Sequence, residues 1–309
     1  MKNICELLNI KYPLIQGGMA NIATHVLAAA VSNAGGLGLI GSGGNDVNWV
    51  RNEIRETRKL TDKPFGVNIM LMSPHSEDIA KMIIEEKVAV VTTGAGNPGR
   101  FIPSWKEANI KVIPVVPSVS LAIRMERAGA DAVIVEGTEA GGHIGELTTM
   151  ALVPQAVDAV NIPVIAAGGI ADRRQVAAAF LLGAKGVQVG TVLLASDECP
   201  IHINYKQKIV DAKDTDTIVT GRSTGAPVRV LKNPMSRAYV KMENSATQEE
   251  LEKLTLGSLR RAVLNGDLDN GSFMAGQVAG LVKAIKPIKV IIEDLFADVD
   301  AYKNKVEIM

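Results

Sequence analysis

A (β/α)8 barrel of the TIM type with a small C-terminal appendage is the fold class this sequence predicts. Three observations predict it: eight short β-branched runs, amphipathic segments between them, and glycine at six of the eight run ends. The runs start roughly 20 to 30 residues apart, the repeat of one strand followed by one helix. Their hydrophobicity is continuous rather than alternating, so both faces of the sheet are covered. An open doubly wound sheet would leave two edges; the count of eight favours closure.

Taken in order, the runs are "YPLIQGG" at Leu14, "GLGLIGSG" at Leu37, "PFGVNIM" at Phe65 and "VAVVTTGAG" at Val88. "KVIPVVPS" at Lys111, "DAVIVEG" at Ala132, "IPVIAAGG" at Pro163 and "KGVQVGT" at Gly186 complete the set. Between them "SEDIAKMIIEEK", "VSLAIRMERAG" and "TMALVPQAVDAV" read as helices, the second with Leu121, Met125 and Ala128 on one face. "ADRRQVAAAFLLGA" offers Asp172 as N-cap, Gln175 three residues on and Gly183 past its end. The pattern changes after Thr191. "HINYKQKIVDA" is the candidate eighth helix, Thr247 to Glu250 is a capping box, and "VIIEDLFADV" is the last helix. The chain divides into a barrel over 1–195, a smaller appendage or lid over 196–269, and a return to the barrel over 270–309.

Composition narrows the function. In 309 residues, Lys+Arg and Asp+Glu are both 33, so no global field favours nucleic acid or an acidic membrane surface. Cys5 and Cys199 make neither a disulfide framework nor a metal-ligand spacing, which fits a reducing cytoplasm. The start of the chain lacks a signal-peptide pattern, and no run is long and apolar enough to span a bilayer. His25, His75, His143 and His202 are scattered, so no protein-built metal site is expected.

The carboxyl ends of barrel strands carry the reactive face. Here they read "QGGMA", "GSGG", "TTGAGNPG", "EGTEAGGH", "AAGGI" and "QVGT". Glycines at one mouth make tight turns, and they also let backbone N–H groups approach a flat or phosphate-bearing ligand. "AAGGIAD" leads into a helix, so its N–H groups and dipole favour a phosphate. Gln16, Asn68, Thr92, Glu136, Gln188 and Thr191 are the polar side chains expected at the mouth. His143 lies on the loop after the sixth strand, with Glu139 and Glu146 near enough in sequence to orient it; it is the candidate catalytic group. His25 and His202 read as surface residues, and His75 has a weaker claim. Thr217 to Met242 carries Arg222, Arg229, Lys232, Arg237 and Lys241 and no acid, which reads as a docking surface or a solvated face.

Together "YPLIQGGMA", "PFGVNIML", "VIVEGTEAGGHIG", "PVIAAGGIAD", "GVQVGT" and "GSFMAGQVAGLV" resemble the FMN-dependent enoyl-acyl-carrier-protein reductases of type II, within the nitronate monooxygenase superfamily. The resemblance runs from about residue 5 to 285. It implies a barrel that holds FMN without a covalent bond. Gly17, Gly18, Met19 and Asn68 would line its ring, with Glu136, Gly141 and Gly142 near ring and ribityl chain. Gly168, Gly169, Gly190 and Thr191 would take the phosphate, joined at that end by Met274, Ala275, Gly276 and Gln277, and Ala167 and Gln188 would also bind the cofactor. It further implies NADH or NADPH as reductant, a response to a monovalent cation, and an enoyl thioester on an acidic acyl carrier protein as substrate. His143 would stabilise charge on the thioester or supply a proton. A homodimer is expected. The rival reading is a nitronate monooxygenase, with the histidine as base; a barrel that binds a flavin or phosphosugar without turnover is the third.

Overall fold

The computed structural model describes residues 3–303. Its strands are β1 (Leu14–Gln16), β2 (Gly38–Gly41), β3 (Phe65–Met70), β4 (Val90–Gly94), β5 (Lys111–Val116), β6 (Val133–Glu136), β7 (Gly142–His143), β8 (Val164–Ala167), β9 (Gly186–Val189), β10 (Thr217–Thr220) and β11 (Val228–Leu231). Eight of them form one parallel sheet in the order β1-β9-β8-β6-β5-β4-β3-β2. The eight strands are those that the β-branched runs predict.

Closure between β1 and β2 is made partly by a side chain. Leu37 N donates to Leu14 O at 2.8 Å and Gln16 N to Leu37 O at 2.9 Å. The Gln16 amide then continues the ladder, with Nε2 donating to Leu39 O at 2.8 Å and Oε1 accepting from Leu39 N at 3.3 Å. Gln16 is fully buried and so spent on the barrel wall; it is not a ligand group at the mouth.

Ile15, Leu37, Leu39, Val90, Ile113, Ile134 and Ile165 fill the barrel together with Ile4 and Leu8 from the helix Ile4–Leu8. A Cβ on Gly186, at the start of β9, would lie 2.9 Å from Pro13 O and 3.6 Å from Ile4 Cγ2, which places that helix as a plug at the amino end. The other end is left for a ligand.

The eighth helical position is taken by Ile288–Phe296, which packs against His25–Asn33 and Arg173–Leu181, the helices after β1 and β8. Its buried stripe is Ile288, Ile291, Ile292 and Leu295, and Phe296 stacks on Tyr12 with ring centroids 5.2 Å apart. The segment expected there, "HINYKQKIVDA", does form a helix, Ile203–Val210, but it packs on the short helices Thr191–Leu194 and Gln277–Leu281 instead. Nearness in sequence suggested it; the longer apolar stripe of the later helix wins the site.

The capping boxes at Asp172/Gln175 and Thr247/Glu250 are formed as the sequence predicts. A second sheet, β10-β11-β7, is antiparallel. Its third strand is Gly142–His143, drawn from the loop after β6. Among the described residues no helix is long and apolar enough to cross a membrane.

Candidate active site

Side chains alternate along a strand, so positions two apart share a face. Ala132 and Ile134 point into the barrel, and Glu136 follows them. Register then sets the top inward layer. Asn68 lies beside Thr92, Glu136 beside Ala167, and Ala167 beside Gln188. Four polar side chains therefore roof an apolar interior and form the floor of the mouth.

The two halves of this floor differ. Asn68 Nδ2 donates to Thr92 Oγ1 at 2.9 Å, so that pair is satisfied. Gln188 is buried and its Oε1 has no partner. No hydrogen bond or ion pair reaches the Glu136 carboxyl from the described residues. Burial pushes its pKa up to about 7. Unpartnered buried polar groups are costly in a folded chain, so they mark a place where a ligand would complete the hydrogen bonding.

Around the floor the glycine loops touch one another. A Cβ on Gly18 would lie 2.2 Å from Asn68 Cγ, and one on Gly190 3.5 Å from Met19 Sδ. Gly141 backs onto Ala275, where a Cβ would meet the carbonyl carbon at 2.6 Å. A Cβ on Gly276 would lie 2.6 Å from Glu139 O, and its N–H donates to Thr191 Oγ1 at 2.9 Å. Gln277 N donates to Glu139 O at 2.9 Å. Gly142, at φ +76°, would bring a Cβ to 3.5 Å from Met274 Sδ. Gly17, Gly18, Met19, Asn68, Glu136, Gly141, Gly142, His143, Ala167, Gly168, Gly169, Gln188, Gly190 and Thr191 thus meet at one end of the barrel. The segment Met274–Gln277 comes back to it.

The backbone amides left open are those of the glycines before the helix, not those of its first turn. The first N–H groups of the helix Arg173–Leu181 are taken: Asp172 accepts from Arg174 N and Gln175 N, and Gln175 Oε1 accepts from Ala171 N and Asp172 N. The amides of Gly168, Gly169 and Gly190 find no acceptor among the described residues. Gly168 and Gly169 have φ of +86° and +74°, a left-handed path that glycine alone follows without strain and that turns successive N–H groups to one side.

His143 is exposed at the mouth, and neither ring nitrogen has a partner among the described residues. Glu139 and Glu146 do not orient it. Both Glu139 oxygens accept from Thr149 N, at 3.0 and 2.9 Å, capping the helix Thr149–Ala159 in place of its own N-cap residue. Glu146 Oε1 faces Arg222 at 3.7 Å. His143 is instead held by its backbone, paired with Val228 on β11.

Two other histidines are also more than surface residues. His25 Nδ1 lies 2.8 Å from the buried carboxylate of Glu53. His202 Nδ1 accepts from Asn204 N at 3.1 Å, capping its helix. The basic run is not one surface either. Arg229 is buried with 7% exposure, and Lys232 Nζ donates to Thr215 O, while Arg222, Arg237 and Lys241 are exposed. Charge reversal at Arg229 would therefore test folding rather than docking. A concavity of about 370 Å³ is lined by Lys208, Asp216, Lys232 and Arg237 among others.

The family model for nitronate monooxygenase matches residues 2–86 and 80–298. The chain belongs to the nitronate monooxygenase family. It is 37% identical to a probable nitronate monooxygenase of Staphylococcus saprophyticus, over 91% of this chain and 92% of that one. Among solved structures it resembles FabK from Thermotoga maritima, with TM-score 0.96, 55% identity, and 99% and 98% of the two chains covered. It also resembles nitroalkane oxidase from Streptomyces ansochromogenes, with TM-score 0.87, 28% identity, and 98% and 99% covered. The nitronate monooxygenase family is one of flavin oxidoreductases, and this chain is an enzyme of it.

The mouth fits such a group. It offers an unpartnered carboxyl and amide on the floor, free glycine amides at one side, and walls where a Cβ would strike backbone.

Proposed function

We propose that this chain is an FMN-dependent enoyl-acyl-carrier-protein reductase that uses NADH or NADPH to saturate trans-2-enoyl thioesters. The observation that carries this is the 55% identity to FabK, an enoyl-acyl-carrier-protein reductase of type II, against 28% to the nitroalkane oxidase. Bound flavin would supply the two-electron chemistry. The protein residues bind and orient. Gly168, Gly169 and Gly190 offer N–H groups to the phosphate, with Thr191 and Met274–Gln277 behind them. Gly17, Gly18, Met19 and Asn68 form one side of the ring site, and Glu136, Ala167 and Gln188 the other, with Gly141 and Gly142 above.

His143 is the proton-moving group. Its free imidazole, exposed where a substrate would enter, donates to the thioester oxygen as charge develops there, or delivers a proton to Cα. The thioester is presented on an acyl carrier protein, an acidic partner that suits the exposed Arg222, Arg237 and Lys241.

A second reading, nitronate monooxygenase, is favoured by the names of the curated relatives. One experiment separates the two. The purified protein is mixed anaerobically with NADH or NADPH, then with crotonyl thioester. Loss of flavin absorbance on the first addition and its return on the second supports the reductase. No bleaching by either nucleotide, together with oxygen uptake on a nitroalkane, overturns it.

A further inference from the structure

Arg229 occupies the middle strand of the small sheet, opposite Gly142 on one side and Val219 on the other. It is buried, with 7% exposure. No carboxylate lies within ion-pair distance of it among the described residues. Its Nε and Nη2 converge on one acceptor, the carbonyl of Thr138, at 3.2 and 3.1 Å. Nη1 donates to Thr217 Oγ1 at 3.2 Å. Burial and the nearby Arg222 lower its pKa, while Glu139 opposes them.

A buried cation held only by a carbonyl and a hydroxyl is an expensive way to tie two segments together. The segments it ties are informative. Thr138 opens the loop that ends in His143. Arg229 grips the opening by its side chain, and the far end by its backbone pairing with Gly142. Val228 pairs with His143 itself, and Ile144 N donates to Pro227 O at 3.1 Å. Gly142–His143 pairs with no strand of the barrel. The backbone that carries the imidazole therefore takes its sheet pairing from β11. A planar fork with five donors suits this task, since it fixes direction as well as distance.

We propose that Arg229 is a positioning residue for the reaction: through Thr138 and the β11 ladder it holds the His143 segment at the height and angle the mouth requires. This rests on the reading of His143 as the proton-moving group. Losing the grip lets the segment shift by an ångström or so while the barrel and the floor stay in place. Such a shift lowers turnover far more than it weakens binding.

The test uses full-length enzyme loaded with flavin and compares Arg229→Met, Arg229→Lys, His143→Ala and the double variant His143→Ala/Arg229→Met. Arg229→Met should lower kcat about 10²-fold, with KM for crotonyl thioester changed less than about threefold. Arg229→Lys, which reaches the Thr138 carbonyl with one donor, should recover about tenfold of that loss. The double variant should be no slower than His143→Ala alone, because both changes act through one group. Amide hydrogen exchange at Gly142, His143 and Ile144 should accelerate in Arg229→Met while β8 and β9 stay protected. Unchanged exchange there with full turnover, or losses that multiply in the double variant, would overturn the proposal. If His143→Ala alone keeps its activity, the assignment of the imidazole fails, and the exchange measurement still decides whether Arg229 holds the segment. Should Arg229→Met not fold, Arg229→Lys with the same exchange readout carries the test.

Discussion

Two carboxyls, Glu86 buried and Glu136 half-buried, meet opposite fates. Glu86, at the outer edge of the helical layer, is 8% exposed and surrounded by cations. It accepts from Arg51 at 3.0 Å, from Arg55 at 2.9 Å and from Arg58 at 2.9 Å. Burial alone would raise its pKa, but the three guanidinium groups hold it below the ordinary carboxylate value. Glu136, on the floor of the mouth, has no partner among the described residues, and burial pushes it up to about 7. In the outer layer a buried charge is neutralised by the chain itself. At the mouth the chain leaves Glu136, Gln188 Oε1, the His143 imidazole and several glycine amides unpaired. Thr24 Oγ1 and Thr93 Oγ1 also lack partners among the described residues, but the mouth gathers a carboxyl, an amide and an imidazole in one place, where a ligand could complete them.

This contrast can be broken by substitution. The largest expected effect is at the mouth: His143→Ala should lower turnover about 10²- to 10⁴-fold while leaving the melting temperature within a degree or two. A loss below about tenfold in steady-state assays would remove the imidazole from the chemistry.

Glu136→Gln should act on stability, with a sign set by pH. The folded pKa, about 7, lies above the unfolded value of 4.5, so the fold favours the protonated carboxyl. That contribution is fully present below pH 4.5 and is lost as pH rises through 7. Glutamine escapes the loss. Flavin-free Glu136→Gln should therefore be more stable than the parent at pH 8 by up to about 3 kcal/mol, and no more stable at pH 4. Thermal melts at the two pH values check this; equal shifts at both would mean that Glu136 finds a partner in solution.

Glu86→Gln should do the reverse, costing about 2 kcal/mol at pH 7 by removing the negative charge that three arginines share. Because the folded pKa of Glu86 is depressed, the stability it contributes is present above its unfolded value and disappears as pH falls through the folded one. Urea denaturation at pH 7 and at acidic pH measures the difference. The smallest effect is at Gln188. Replacement by Leu removes an unsatisfied acceptor, so the flavin-free protein should gain about 1 kcal/mol while its affinity for FMN falls. A gain in both would take Gln188 out of the ligand site.

Much of this was readable from residue order. Local patterns specify local structure: β-branched runs gave eight strands, and Asp172/Gln175 and Thr247/Glu250 gave capped helices, because strand pleat and helix capping depend on neighbours in the chain. Parallel strands put all their carboxyl ends on one face, so the glycine loops, Asn68, Glu136 and His143 had to share a mouth. Partner choice was a different matter. Nothing in the spacing told that Gln16 would seal β1 to β2, that Glu139 would cap a helix ten residues on at Thr149, or that the eighth helix would be Ile288–Phe296. Arg229 looked like one cation in an acid-free surface run, yet it lies inside, under the loop it grips. Periodicity and capping are decided between residues a few positions apart. Which buried polar group is satisfied, and which is left for a ligand, is decided between residues far apart in the chain, such as Thr138 and Arg229 or Glu139 and Gln277, and only the folded chain brings those together.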